Sequence, residues 1–257
     1  MTTTEQILAL AMSAGRTVAD GTASDRAIEV TDADLAAFRE AASRGRDSVA
    51  ARALLAIRPP APPSAAAGGG PAWAAWATAA AATAAAGGSV PAPGNQNDGD
   101  DEAAGGARLT WLAVFAAGTA LADATAGGTA PTRTAADAGP VTVTRAVAAG
   151  MSAAAIIESG LADWDGWSPG TIGAAVGASV TAGLLLGLTP SQLRAAIGIC
   201  ATQAAGLRAA VGTDAFALQV GKAAFNGVEA ALLARAGFTA PDEPLDGRRG
   251  LFALFGR

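Results

Sequence analysis

Between Thr171 and Thr189 the chain carries no charge, and small residues dominate, with Gly173, Gly177 and Gly187 among them. A segment of this kind has to be hidden from water, either in a bilayer or at the centre of a protein. Its length would allow a membrane span. Its composition argues otherwise: most of it is Gly, Ala, Ser and Thr, its leucines bunch at one end, and no aromatic belt closes the other. We read it as a buried helix, because side chains this small let neighbouring helix axes approach closely. No alternating run of β-branched residues indicates a sheet, so the expected fold class is all-α, a multi-helix bundle.

The rest of the chain fits that reading. The 257 residues suffice for a sizeable core, and 51% are hydrophobic against 15% charged, which excludes disorder of the whole chain. With aromatics at only 5%, that core must rest on Ala, Leu, Val and Ile. Thr31 reads as an N-cap with Asp34 three residues on, and the apolar pattern from Leu35 and Phe38 runs through Leu54 and Leu55 to Pro59-Pro60. Further helices are expected over Ala72–Ala86, Leu109–Ala126 and Val141–Ser159. Thr189-Pro-Ser-Gln192 is a helix start with a capping box and proline at the first helical position. After it Leu193, Ile197, Cys200, Ala204 and Leu207 recur on one helical face, which makes Cys200 a small core residue. A last helix runs from about Ala217 to Arg235 and stops at Gly237. The chain therefore reads as a single helical domain, 1–257, with mobile loops near 59–71, 87–106 and 127–139. The acidic run Asn95–Glu102 in the second loop lacks the ligand spacing of an EF-hand and reads as solvated.

Two residue types are missing altogether: histidine and tyrosine. The commonest general base near neutral pH and the commonest metal ligand are thus unavailable. With one cysteine there is no intrachain disulfide and no cysteine metal cluster, so neither a metal nor a cofactor is expected. A net charge of −5 and a single lysine, Lys222, exclude the basic footprint that nucleic-acid binding needs. The start of the chain has no basic region ahead of an apolar one, and a cytoplasmic location is expected.

From Gly166 onward an ordered series of landmarks resembles the MmgE/PrpD family, whose members include 2-methylcitrate dehydratase and cis-aconitate decarboxylase. Gly166-Trp-Ser-Pro-Gly-Thr-Ile-Gly173 resembles the family's glycine–aromatic–histidine–proline turn, and Ala174–Gly187 the small-residue helix after it. Leu188–Ile199 resembles the next helix, and Gln203-Ala-Ala-Gly-Leu207 the bend beyond it. Gly237–Pro241 and Leu245–Phe252 resemble the segment closing the helical domain, and Ala117–Asp123 resembles, more weakly, the upstream helix bearing the first catalytic group. The resemblance implies the helical domain of that family. Family members continue into an α/β lid domain, which would begin where this sequence ends, at Arg257, so the chain is expected to be the helical domain lacking the lid. The family's catalytic groups do not carry over: Trp167 and Ser168 stand at the histidine of the turn, Phe216 and Gln219 at a lysine and a second histidine, and Ala122 at the upstream histidine.

Two functions remain open on this reading. In the first, the chain is a repurposed lyase, isomerase or cyclase acting on a small organic or natural-product intermediate. Asp163, Asp165, Asp214 and Lys222 are then the candidate acids and bases; the plainer reading makes Lys222 a solvated helix-start lysine and Asp163 and Asp165 solvated or capping groups of the connector. Trp164, Trp167, Ser168, Gln203, Phe216 and Gln219 are the candidate substrate contacts, and binding by shape could replace proton transfer. In the second, the chain is a non-catalytic structural or regulatory partner of a full-length relative. Family resemblance implies a homodimer built through the helical domain, for which the helix Thr171–Gly187 is the candidate face. No membrane association is expected.

Overall fold

A computed structural model of the chain describes residues 1–15, 28–57, 70–86, 110–126, 141–161 and 166–254. The loops expected near 59–71, 87–106 and 127–139 lie outside these residues, except that Gly70 and Pro71 already belong to a helix. The elements are α1 (Thr3–Gly15), α2 (Asp32–Arg44), α3 (Val49–Ala56), α4 (Gly70–Ala86), α5 (Leu112–Ala126), α6 (Val143–Leu161), α7 (Pro169–Leu185), α8 (Pro190–Ala201), α9 (Asp214–Arg235) and the single turn α10 (Leu251–Leu254). Among the described residues there is no strand, only an isolated antiparallel bridge between Trp167 and Leu207. The fold is an all-α bundle. None of these helices is long and apolar enough to cross a membrane.

At the centre lies α7, the charge-free segment, with every residue from Gly170 to Leu184 buried. Its side chains feed two cores. Ala174, Ala175, Ala178 and Ala182 face a core built with α2, α4, α5 and α9. Ile172, Val176, Val180 and Leu184 face a second core built with α1, α6, α8 and the closing segment around Leu245 and Phe252. Glycine makes the approach to α6 possible: a methyl group added at Gly150 would sit 2.5 Å from the Gly177 carbonyl oxygen. Thr181 Oγ1 donates a hydrogen bond to Ala146 O across the same crossing at 3.1 Å. Because α7 is covered on all sides by its own chain, it offers no face to a second subunit, contrary to the expected dimer contact.

Helix ends follow the chemistry of their sequences, with three departures from expectation. Thr31 Oγ1 accepts from the Asp34 N–H while the Asp34 carboxylate accepts from the Thr31 N–H. The helix begun there does not run to Pro59, however. It breaks at the 3-10 turn Gly45–Asp47, where Gly45 is buried against α4, and Ser48 caps a fresh start at α3. The capping box of Thr189 and Gln192 is formed as expected, but α8 stops at Ala201. Leu193, Ile197 and Cys200 are buried on it, whereas Ala204 and Leu207 lie beyond its end and Leu207 is 55% exposed. Third, α9 starts at Asp214 rather than Ala217. Its end is a Schellman motif: Gly237, at φ +95°, and Phe238 donate to Ala234 O and Leu233 O. The first helix, α1, is tied to the closing segment through Thr3, whose N–H and hydroxyl both donate to Asp246.

Candidate functional site

Where α7 and α9 diverge, the molecule has an open, mostly apolar groove of about 350 Å³. Thr171 and Ala175 of α7 line one wall. Gln219, Lys222, Ala223 and Asn226 of α9, which recur at helical spacing, line the other, and the segment from Gln203 to Ala210 forms the rim.

A polar clasp fixes that rim. Gln219 uses both ends of its amide: Oε1 accepts from the Leu207 N–H at 2.9 Å and Nε2 donates to Thr171 Oγ1 at 2.9 Å. Thr171 Oγ1 is also 2.8 Å from the Ser168 hydroxyl. The backbone of the rim joins the start of α7 through Ser168 N–H to Gly206 O (3.1 Å) and Arg208 N–H to Gly166 O (3.1 Å), and Arg208 Nε donates to Trp167 O (3.0 Å). Gly206 adopts φ +140°, and a methyl group there would sit 3.0 Å from Thr171 Cβ. Only glycine lets the rim lie this close to α7.

Lys222 is not at a helix start and is only partly solvated. It is half-buried, with Nζ 4.0 Å from the Phe225 ring centroid and 5.0 Å from that of Trp76. Trp73 and Trp76 of α4 pack edge-on against each other and against Phe225. Burial pushes the Lys222 pKa below its ordinary value, opposed in part by Glu229, while the ring faces stabilise the cation.

Asn226 is the groove residue that sequence reasoning missed. It is 6% exposed, and its Oδ1 has no hydrogen-bond partner among the described residues. Such an orphan costs about 1–3 kcal/mol. The signal was present, because Asn226 follows Lys222 by one helical turn and Gln219 by two. A second missed group is Glu158 of α6, whose pKa burial pushes up to about 7. Its carboxylate lies against Gly170 on the far side of α7: a methyl group added there would be 2.5 Å from Glu158 Oε1 and 2.8 Å from Thr110 Oγ1.

Of the expected site residues, the groove brings together Gln203, Gln219 and Lys222. Asp163, Trp164 and Asp165 lie outside the described residues. Ser168 is buried in the clasp behind the groove, and Trp167 is half-buried at its bridge to Leu207. Asp214 is exposed at the first turn of α9, a favourable place for an anion at a helix start. Phe216 is 3% exposed and packs in the first core, not on the groove wall. Cys200 is wholly buried, with its thiol pushed up to about 12. No group of three or more His, Cys, Asp or Glu residues suited to a metal ion occurs among the described residues.

A family model described as the MmgE/PrpD N-terminal domain matches residues 41–257. The chain belongs to the MmgE/PrpD family. Within that family it is 39% identical over 89 residues to cis-aconitate decarboxylase of Aspergillus terreus, a stretch covering 34% of this chain and 18% of the relative. The match thus spans less than a fifth of the relative's length. The groove occupies the part of this MmgE/PrpD domain where resemblance sets Gln219 in place of the second histidine.

Proposed function

We propose that the groove between α7 and α9 binds a small organic or natural-product intermediate, and that the chain acts there as a lyase, isomerase or cyclase without the family's histidine and lysine. The observation that carries this reading is the groove itself: an apolar concavity with Gln219, Lys222 and Asn226 spaced along one helix face. A pocket of this size is within the ordinary range for small-molecule sites. Its chemistry rests on orientation, since Gln219 is committed to the clasp and Lys222, held over two rings, is the one ionisable side chain on the lining among the described residues. Lys222, its proton loosened by burial, is the proposed acid or base.

The test is ligand-observed and ¹⁵N-resolved NMR on the purified chain with a panel of small hydroxy acids, terpenoid and polyketide-like acids, and cis-aconitate. Shifts at Gly206, Leu207 and Ala223, followed by conversion detected by mass spectrometry and lost in Lys222→Met, are the expected result. Binding without conversion would remove the enzymatic half of the reading. A panel that leaves those resonances unmoved would remove the groove as a site.

A second reading, a non-catalytic partner of a full-length relative, draws support from the exposed apolar rim, where Leu207 and Leu218 stand 55% and 45% exposed. On either reading a homodimer would have to use surfaces other than α7. Sedimentation of the purified chain alone and with a full-length relative separates these assemblies.

A further inference from the structure

Lys222 is the only lysine in the chain, so its place in the fold fixes where a side-chain amine can act. The residue lines the α9 wall of the groove and is partly exposed. Its Nζ stands at the edge where the groove meets the aromatic cluster, 4.0 Å from the Phe225 ring centroid and 5.0 Å from that of Trp76. Among the described residues no carboxylate forms an ion pair with it. Nor is this nitrogen shut off from water, as Asn226 Oδ1 is. Most of the surrounding lining is alanine, glycine and leucine. Of the polar side chains there, Gln219 and Thr171 are bonded to each other, and Gln203 lies on the rim outside that clasp.

We infer that Lys222 Nζ is a nucleophile that forms an imine with the carbonyl carbon of an aldehyde or unhindered ketone held in the groove. The inference deepens the proposed function and rests on the groove being its site. An amine attacks only when neutral, and a partly desolvated position without a carboxylate partner favours the neutral form. Burial lowers the Lys222 pKa accordingly, with Glu229 as the opposing charge. The step balances without a co-reactant. The amine lone pair adds to the carbonyl carbon, and a proton passes from nitrogen to oxygen to give a carbinolamine. The C–O bond then breaks, the oxygen leaves as water, and a protonated C=N bond remains. Overall, one ammonium and one carbonyl become one iminium and one water. The iminium keeps the single positive charge at the same nitrogen, so the ring faces that favour the ammonium favour the product as well. It also draws electrons from the adjacent carbon, an activation that a lyase or isomerase can use without histidine. Gln203, an amide with both donor and acceptor, leaves a place for an oxygen substituent on the ligand's body.

The test treats the intact chain at pH 7 with hexanal and sodium cyanoborohydride, which reduces an imine to a stable secondary amine. Peptide mass spectrometry locates the hexyl group, and Nα-acetyl-lysine under the same conditions is the reference. Lys222 is expected to be alkylated about ten-fold faster than the reference, because the groove holds the carbonyl beside it. Lys222→Arg should lose that label while the amino terminus still takes one. Ala215→Trp, at an exposed position on the groove lining, should fill the groove and bring Lys222 down to the reference rate, with the fold intact by circular dichroism. Hexanol, which cannot form an imine, reports on the groove itself through the NMR shifts of Gly206, Leu207 and Ala223. If hexanol moves those resonances while Lys222 reacts no faster than the reference, this inference alone is overturned. Fast alkylation that survives Ala215→Trp would also overturn it, since the amine would then react without the groove. If hexanol leaves the resonances unmoved, the proposed site falls and this inference with it.

Discussion

Helix α7 makes two crossings, and they differ in kind. Against α6 it packs backbone to backbone, with Gly150 on Gly177 and Gly173 on the Ala154 carbonyl, so the crossing is closed. Toward α9 the contact at Gly227 is equally close, but the helices then spread, and Thr171 and Ala175 line the groove. A half-buried carboxylate, Glu158, stands on the α6 side, and a buried amide, Asn226, on the α9 side. The closed crossing supplies stability, and the open one leaves the groove that we propose as the site. That division is what a bundle poor in aromatics can achieve by placing glycine and alanine along one helix.

The largest expected effect comes from breaking the closed crossing. Gly177→Val would drive methyl groups into the Gly150 carbonyl, where no side chain can yield. The expected cost is about 3 kcal/mol or more, read as loss of the cooperative urea transition. Ala175→Val at the open crossing has groove space for its extra carbons, and should cost only about 1 kcal/mol while weakening ligand binding. Equal damage from both would mean that the two crossings are not different in kind.

Next in size is a pH dependence confined to the closed crossing. Burial raises the Glu158 pKa from 4.5 to about 7 in the folded chain. Between those values the folded state holds a proton that the unfolded state has released, so the stability contribution is fully present below pH 4.5. It falls as pH rises and is gone above about 7. The whole effect is about 3 kcal/mol. Glu158→Gln should flatten this part of the profile, becoming more stable than the natural chain at pH 8 by urea denaturation and not at pH 4.5. An unchanged profile would show that the carboxyl is solvated.

How much of this was legible in the residues differs between the same two regions. The charge-free run announced a buried helix, because nothing but burial suits nineteen-odd residues of that composition, and the capping boxes at Thr31 and Thr189 marked helix starts through local chemistry alone. The end of α8 was not legible, since Ala204 and Leu207 continue its apolar spacing although the helix stops at Ala201 with Thr202 as its C-cap. Glu158 reads in the sequence as one more surface carboxylate, and only the packing of α6 on α7 takes it partly out of water. Asn226 was within reach of spacing arguments once Gln219 and Lys222 had been singled out. Its lack of a partner is a tertiary fact, because it depends on which atoms α7 brings near.

A smaller effect probes the rim of the open crossing. Gly206→Ala must hold a side chain at φ +140° and against Thr171, at a cost of about 1–3 kcal/mol. Because the rim is peripheral to both cores, that strain should be relieved locally, by loosening residues 203–210. The expected signature is a weaker groove ligand with a nearly unchanged melting temperature. A fall in melting temperature as large as that of Gly177→Val would place the rim within the cooperative core.

The smallest effect isolates the clasp from the groove it shapes. Gln219→Leu keeps the volume of the side chain but removes both hydrogen bonds, leaving the Leu207 N–H without its acceptor and Thr171 with only Ser168. The global cost is about 1 kcal/mol, since the Leu207 N–H is exposed enough for water to replace the bond. Hydrogen exchange reads the local effect directly. The Leu207 amide should exchange at least ten-fold faster in the variant, whereas amides in the middle of α6 and α7 keep their protection. Were Gln219 instead a group that acts on the ligand, exchange at Leu207 would barely change while turnover vanished. The exchange rate at one amide therefore decides whether Gln219 holds the proposed site together or works within it.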